Sequence, residues 1–257
     1  MLDGKLYASG GFDGGGGMTE GEGLLTSVEC FDPSTEQWSP VAPMNIAKFG
    51  HGVGVVDNKM YTVGGTGAHH PGLSDTRRCV ECYDPSTGQW SAVADMSTTR
   101  CGCGVDVVDG KLYAVGGASD DGHIVSSVEC FDISTGQWST VAAMSTERCG
   151  VGVAALDGKL YAVGGIDGND TILRSAESFD PVTGQWSSLA PMGTARCEHS
   201  VAVSDGKLYA VGGIEHRDLE PLSSVECFNP LTGQWSEVAS ISTECSVAAV
   251  VALACPE

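Results

Sequence analysis

One unit of sequence recurs five times along these 257 residues, and such a chain folds by stacking copies of one small motif. A Tyr in a short apolar run ending in Gly-Gly appears at Tyr7, Tyr61, Tyr113, Tyr161 and Tyr209. Trp38, Trp90, Trp138, Trp186 and Trp235 follow, spaced by 52, 48, 48 and 49 residues, so the slack lies in loops. Between the two markers an aromatic residue precedes a turn: Phe31-Asp32-Pro33, Tyr83-Asp84-Pro85, Phe131-Asp132, Phe179-Asp180-Pro181 and Phe228-Asn229-Pro230.

Each copy reads as four strands, a to d. Strand a is Val- and Gly-rich, as over 150–156. Asp109-Gly110, Asp157-Gly158 and Asp205-Gly206 supply the positive φ that a two-residue hairpin needs between strands a and b. Strand b is apolar at consecutive positions, the pattern of a strand buried on both faces, and the Gly pair ends it. Strand c carries Ser-Val-Glu-Cys-Phe, and strand d starts at the Trp, whose ring fills the widening space between neighbouring sheets. Gly at 36 residues and a charged fraction of only 18% suit short strands joined by tight turns.

The chain starts at Leu2-Asp3-Gly4-Lys5, an a-to-b turn without its strand a, and residues 245–253 read as a strand a with nothing after it. The two are expected to complete one blade, which removes open edges. The reading is one domain over 1–257, with blades at 1–44 plus 242–257, 45–96, 97–144, 145–192 and 193–241.

The Leu-Tyr-Ala-Val-Gly-Gly, Val-Glu-Cys-Phe-Asp-Pro and Gly-Gln-Trp segments resemble the Kelch repeat over essentially the whole chain. The resemblance implies a β-propeller with strand a innermost around a channel, and Kelch propellers more often have six or seven blades. Here the five repeats with the split terminal one read as an all-β, five-bladed Kelch β-propeller, four antiparallel strands per blade, closed by the C-terminal strand completing the N-terminal blade. The alternative is part of a longer protein with further blades. The resemblance also implies a protein-binding role and no enzymatic one, with no cofactor, as in the propeller domain of Kelch-like ubiquitin-ligase adaptors. The other roles known in the family are an oxidase or epimerase acting on a sugar-like molecule at the channel mouth, and an actin-binding structural protein.

Net charge of -20 with 13 basic residues disfavours nucleic acid and anionic membrane surfaces as partners. The first eleven residues lack the basic start and apolar middle of a secretory signal, so a cytoplasmic chain is expected, monomeric as an isolated propeller. Of eleven cysteines, Cys30, Cys82, Cys130 and Cys227 share one repeat column and Cys101, Cys149, Cys197 and Cys245 another, which reads as reduced thiols packed between sheets.

Repeated residues hold a propeller together, whereas variable loops recognise partners. The b-to-c and d-to-a loops share the face with the longer, variable connections. At its edge, thirteen residues before the strand-b Tyr, stand Lys48, Arg100, Arg148 and Arg196, with Glu244 read as their counterpart in the closing repeat. These cations either form a basic ring for carboxylates or phosphates, or bond to backbone carbonyls and acids of the scaffold. The resemblance implies the first: Arg100, Arg148, Arg196, Ser27, Ser127, Ser175 and Ser224 match positions that grip acidic peptides. Blade two departs, with Lys48 and Cys79 in those columns.

The loops on this face add Arg77, Arg78, Arg174 and Arg217, and also Asp120, Asp121, Asp167, Asp170, Glu215 and Glu220; the longest, 12–26, contains Gly14 to Gly17 in a row. Gly50-His51-Gly52-Val53-Gly54 and Cys101-Gly102-Cys103-Gly104 lack the following helix that a phosphate loop requires. His69-His70 sits in a loop. His51, Cys103 and His199 share a column and would have to meet at the axis to bind metal. Asp167-Gly168-Asn169-Asp170 has calcium-like composition without the remaining ligands, and reads as a turn.

Overall fold

The computed structural model describes residues 2–13, 23–67, 78–215 and 220–245. Blade one contributes β1 (Leu6–Ser9), β2 (Val28–Asp32) and β3 (Gln37–Val41). Blade two has β4 (Lys48–Phe49), β5 (Gly52–Val56), β6 (Lys59–Val63), β7 (Thr66–Gly67), β8 (Val80–Asp84) and β9 (Gln89–Ala92), where the short β4 and β7 pair on their own beside the main sheet. Blade three is β10 (Gly104–Val108), β11 (Lys111–Val115), β12 (Val128–Asp132) and β13 (Gln137–Val141). Blade four is β14 (Gly152–Leu156), β15 (Lys159–Val163), β16 (Ala176–Asp180) and β17 (Gln185–Ser188). Blade five is β18 (Ser200–Ser204), β19 (Lys207–Val211), β20 (Val225–Asn229) and β21 (Gln234–Val238).

Blades two to five are four-stranded antiparallel sheets in the order a-b-c-d, and blade one shows strands b, c and d. Of the closing strand read at 245–253, all but Cys245 lies outside the described residues. The a-to-b turns form as the sequence predicts, with φ of 50° at Asp109 and 70° at Gly110. Strand a of blade four starts at Gly152 rather than Gly150, because Gly150 has φ of 60° and its N–H donates to the Gly102 carbonyl of the neighbouring blade.

The blades pack face to face through repeating contacts. In blade three, Leu112 pairs with Phe131 and Phe131 with Trp138, placing an apolar row on one face. That row meets the opposite face of blade two in a core of Val56, Tyr61, Val63, Val80 and Cys82. Tyr61–Phe131, Tyr113–Phe179 and Tyr161–Phe228 are the same tilted ring contact at three junctions, with centroids 6.0–6.2 Å apart. Four of the five Trp reach back as well: the indole N–H groups of Trp90, Trp138, Trp186 and Trp235 donate to the carbonyls of Ala42, Ala94, Ala142 and Ala190 at 2.8–3.0 Å. The ten described cysteines are free thiols, with Cys30, Cys82, Cys130 and Cys227 buried in these faces.

Candidate functional site

On the face bearing the b-to-c and d-to-a loops, each linker between blades ends in the cation column. Arg148 ends the linker into blade four, four residues before strand a, and its backbone ties back to blade three: its N–H donates to Val125 and its carbonyl accepts from Gly117 at 2.7 Å. Its guanidinium then turns inward. Nη1 donates to the Gly164 and Ser175 carbonyls at 2.8 and 3.0 Å, and Nη2 donates to Ser175 Oγ at 2.9 Å and Glu177 Oε1 at 3.1 Å. Arg100 repeats this with Gly116, Ser127 and Glu129, and Arg196 with Gly212, Ser224 and Glu226.

All three arginines and Lys48 are 0% exposed. Lys48 makes a looser version with one nitrogen, 3.3–3.4 Å from Thr62 Oγ1, the Cys79 carbonyl and Glu81 Oε2. A planar guanidinium holds four acceptors in fixed directions, whereas an ammonium is a point charge. The scaffold reading of the column therefore describes the geometry: the cations lie beneath the face and are neutralised by strand-c carboxylates. Ser127, Ser175 and Ser224 serve the same network through their hydroxyls, while Ser27 of blade one is exposed and has no cation beside it among the described residues.

The residues that sequence reasoning left without a role are Glu81, Glu129, Glu177 and Glu226. Each also accepts the linker amide, from Asn45, Ser97, Ser145 and Gly193 at 2.6–2.9 Å, so one buried carboxylate joins the linker to strands a and c. Burial pushes the Glu129 and Glu177 carboxyls up, but the serine donors and the arginine outweigh it and hold both below the usual glutamate range. The signal was present: an acid recurs at the centre of every strand c, flanked by buried residues.

The closing repeat needs a correction of one residue. Cys245, not Glu244, stands in the cation column, because its N–H donates to Leu222 and its carbonyl accepts from Gly213, the bonds that Arg196 makes with Leu173 and Gly165. Ser242-Thr243-Glu244 thus corresponds to Ser145-Thr146-Glu147. The slip arose because no strand-b Tyr follows this repeat from which to count back.

At the channel mouth the amides of Gly102, Gly150 and Glu198 donate to the carbonyls of Gly50, Gly102 and Gly150 at 2.8–2.9 Å, linking one blade to the next. Glu198 holds φ of 54° where its counterparts are Gly. His51, Cys103 and His199 do not meet at the axis. His51 Nε2 lies 3.0 Å from Ser9 Oγ and Cys103 Sγ 3.8 Å from the Val63 carbonyl, so both turn back toward the preceding blade. Among the described residues no three His, Cys, Asp or Glu side chains converge on a metal position. Asp167 Oδ1 accepts the Asn169 and Thr171 amides, which makes that loop a turn. Gly14 to Gly17, His69, His70, Arg77 and Arg217 lie outside the described residues.

His199 is buried with neither ring nitrogen bonded. Burial, reinforced by Arg196, pushes its pKa down to about 3, and burial with Lys48 pushes His51 to about 4. An unfolded histidine takes up its proton near pH ~6.5. The folded-state values are depressed, so this stability is complete above about pH 6.5 and is lost as pH falls through the folded values. Urea unfolding should therefore show stability declining between about pH 6.5 and 4, with a shallower decline in His199→Val, since Val151 occupies the same position in blade four. Parallel pH profiles for the two proteins would refute this.

The charge left at the surface of this face is mostly acidic. Asp120, Asp121, Glu147, Glu198, Glu220 and Glu244 are exposed there, against Arg78, which lies 3.7 Å from Asp95, and Arg174. Among the described residues no helix is long and apolar enough to cross a membrane.

The KLHDC2/KLHL20/DRC7 Kelch-repeats domain model matches residues 1–150 and 50–254. Human Kelch-like protein 28 is 38% identical over 96 residues, which is 36% of this chain and 17% of that protein. Zebrafish Kelch-like ECH-associated protein 1A is 38% identical over 118 residues, 46% of this chain and 18% of that protein. The matched stretches thus span under a fifth of either relative. A solved structure, "Structure of YjhT", superposes with a TM-score of 0.79 over 95% of this chain and 86% of that one, at 17% identity, a likeness of fold.

Proposed function

Because this chain belongs to the Kelch-repeat family, we propose that it is a protein-recognition propeller whose partner docks on the b-to-c and d-to-a face. The observation that carries this is the set of four buried Glu–cation hubs, which lock the linkers entering blades two to five at their roots and so present the variable loops from a rigid support. Lys48, Arg100, Arg148 and Arg196 act here as positioning residues. With those charges neutralised inside the scaffold, the exposed carboxylates favour a basic partner segment over an acidic one. The adaptor role implied by the resemblance would make that partner the substrate of a ubiquitin ligase.

Fluorescence anisotropy with labelled Lys/Arg-rich and Asp/Glu-rich peptides tests the reading. The basic peptide should bind more tightly, weaken as salt rises from ~0.05 to ~0.2 M, and lose roughly threefold or more in affinity with Glu198→Lys. Tighter binding of the acidic peptide would sink the proposal.

A further inference from the structure

Blade five breaks the repeat at two places that face each other. After the buried Met, the linkers entering blades two to four carry the polar side chains of Asn45, Ser97 and Ser145, whereas the linker entering blade five carries Gly193. Ser97 gives Glu129 Oε2 two donors, its amide and its hydroxyl, both at 2.7 Å. Gly193 gives Glu226 Oε2 its amide alone, at 2.6 Å. A carboxylate that is 4% exposed is thus short of one donor, on the side where a serine hydroxyl would stand.

The second break lies across the c–d ladder. Opposite the strand-c Glu stand Pro40, Ala92, Thr140 and Ser188 in blades one to four, and Glu237 in blade five. Two carboxylates directly opposite each other repel. Arg196 already pairs with Glu226, and the exposed Glu237 has no ion-pair partner among the described residues. A local rule broken without a gain in stability marks a place kept for another use.

Both breaks open on one cavity of about 340 Å³, walled by Gly193, Arg196, Glu226, Trp235 and Glu237 among others. Two carboxylates against one guanidinium leave it a net negative charge, and the face of an indole attracts cations. We propose that this cavity seats an arginine side chain of the partner, whose guanidinium donates to Glu226 Oε2 and Glu237 and whose stem packs on Trp235. A guanidinium suits the site because its fork of donors can span two carboxylates while its plane stacks on an aromatic ring. The cavity adjoins the d-to-a linker, so the proposal deepens the reading of a basic partner on the loop face and rests on it for the source of the arginine.

Blocked arginine, N-acetyl-arginine-methylamide, tests the cavity without any partner. Titrated into isotope-labelled protein, it should shift the Trp235 indole N–H resonance to saturation, and the uncharged citrulline counterpart should bind at least ~10-fold more weakly. Gly193→Ser and Glu237→Thr should each weaken the arginine at least ~10-fold. Each introduces the residue that blade three carries at that place, so both variants should keep the wild-type circular dichroism spectrum. No saturation up to ~10 mM, equal affinity for citrulline, or undiminished affinity in both variants would overturn the proposal. Equal binding of the Lys/Arg-rich peptide by wild type and the double variant would also overturn it and leave the loop-face reading standing. Retained binding of blocked arginine with no binding of that peptide would sink the loop-face reading and keep the cavity as an arginine site.

Discussion

Replacing Glu177 by Gln is expected to lower stability by about 3–5 kcal/mol, because it strands a buried guanidinium without its counter-charge. Arg148 and Glu177 are 0% and 3% exposed, and Glu177 also accepts the Ser145 amide at 2.8 Å. Gln keeps the shape but removes the charge and turns an NH2 donor toward groups that themselves donate. Arg148→Met should destabilise by a similar amount by leaving the carboxylate buried and the Gly164 and Ser175 acceptors unmatched. The double variant Arg148→Met/Glu177→Leu should lose much less than the two singles together, since a buried pair is weakly favourable relative to apolar side chains of similar volume. Urea unfolding followed by circular dichroism at neutral pH reads all three. Losses that simply add would mean that the two groups do not act on each other.

Gly164→Ala is expected to be about as damaging, near 3–5 kcal/mol, for a different reason. Gly164 has φ of 61°, and a Cβ there would stand 2.3 Å from the Arg196 carbonyl oxygen and 2.8 Å from His199 Cε1. Blade five could not seat against blade four without moving that carbonyl, and the 2.7 Å bond from the Gly165 amide depends on it. Gly136 separates strain from clash: its φ is 67° but a Cβ would meet nothing within 4 Å. Gly136→Ala should cost only about 1–2 kcal/mol, the left-handed conformation alone. Equal losses at the two positions would mean that the approach of neighbouring blades contributes nothing.

Much of this architecture was legible because its determinants are local. Asp109-Gly110 dictates a hairpin, consecutive apolar residues at Leu112 to Val115 dictate a strand buried on both faces, and repetition multiplies both signals. The fate of the cations was not legible in this way. Whether Arg148 faces solvent or a carboxylate depends on Glu177, which is 29 residues away and arrives only when strand c pairs in register. The resemblance pointed to ligand contact, and packing placed the guanidinium beneath the surface instead. The Glu244 assignment failed for a related reason, since counting residues gives no register where no neighbouring strand is available to count from.

The sequence by itself determined the repeat, the four-strand unit, the turns and the apolar columns, because each follows from the conformational preferences of a few adjacent residues. Only the tertiary structure decided which charges are available to a partner. Burial and ion pairing are properties of residues brought together across blades, and they removed Lys48, Arg100, Arg148 and Arg196 from the surface while leaving Glu237 on it.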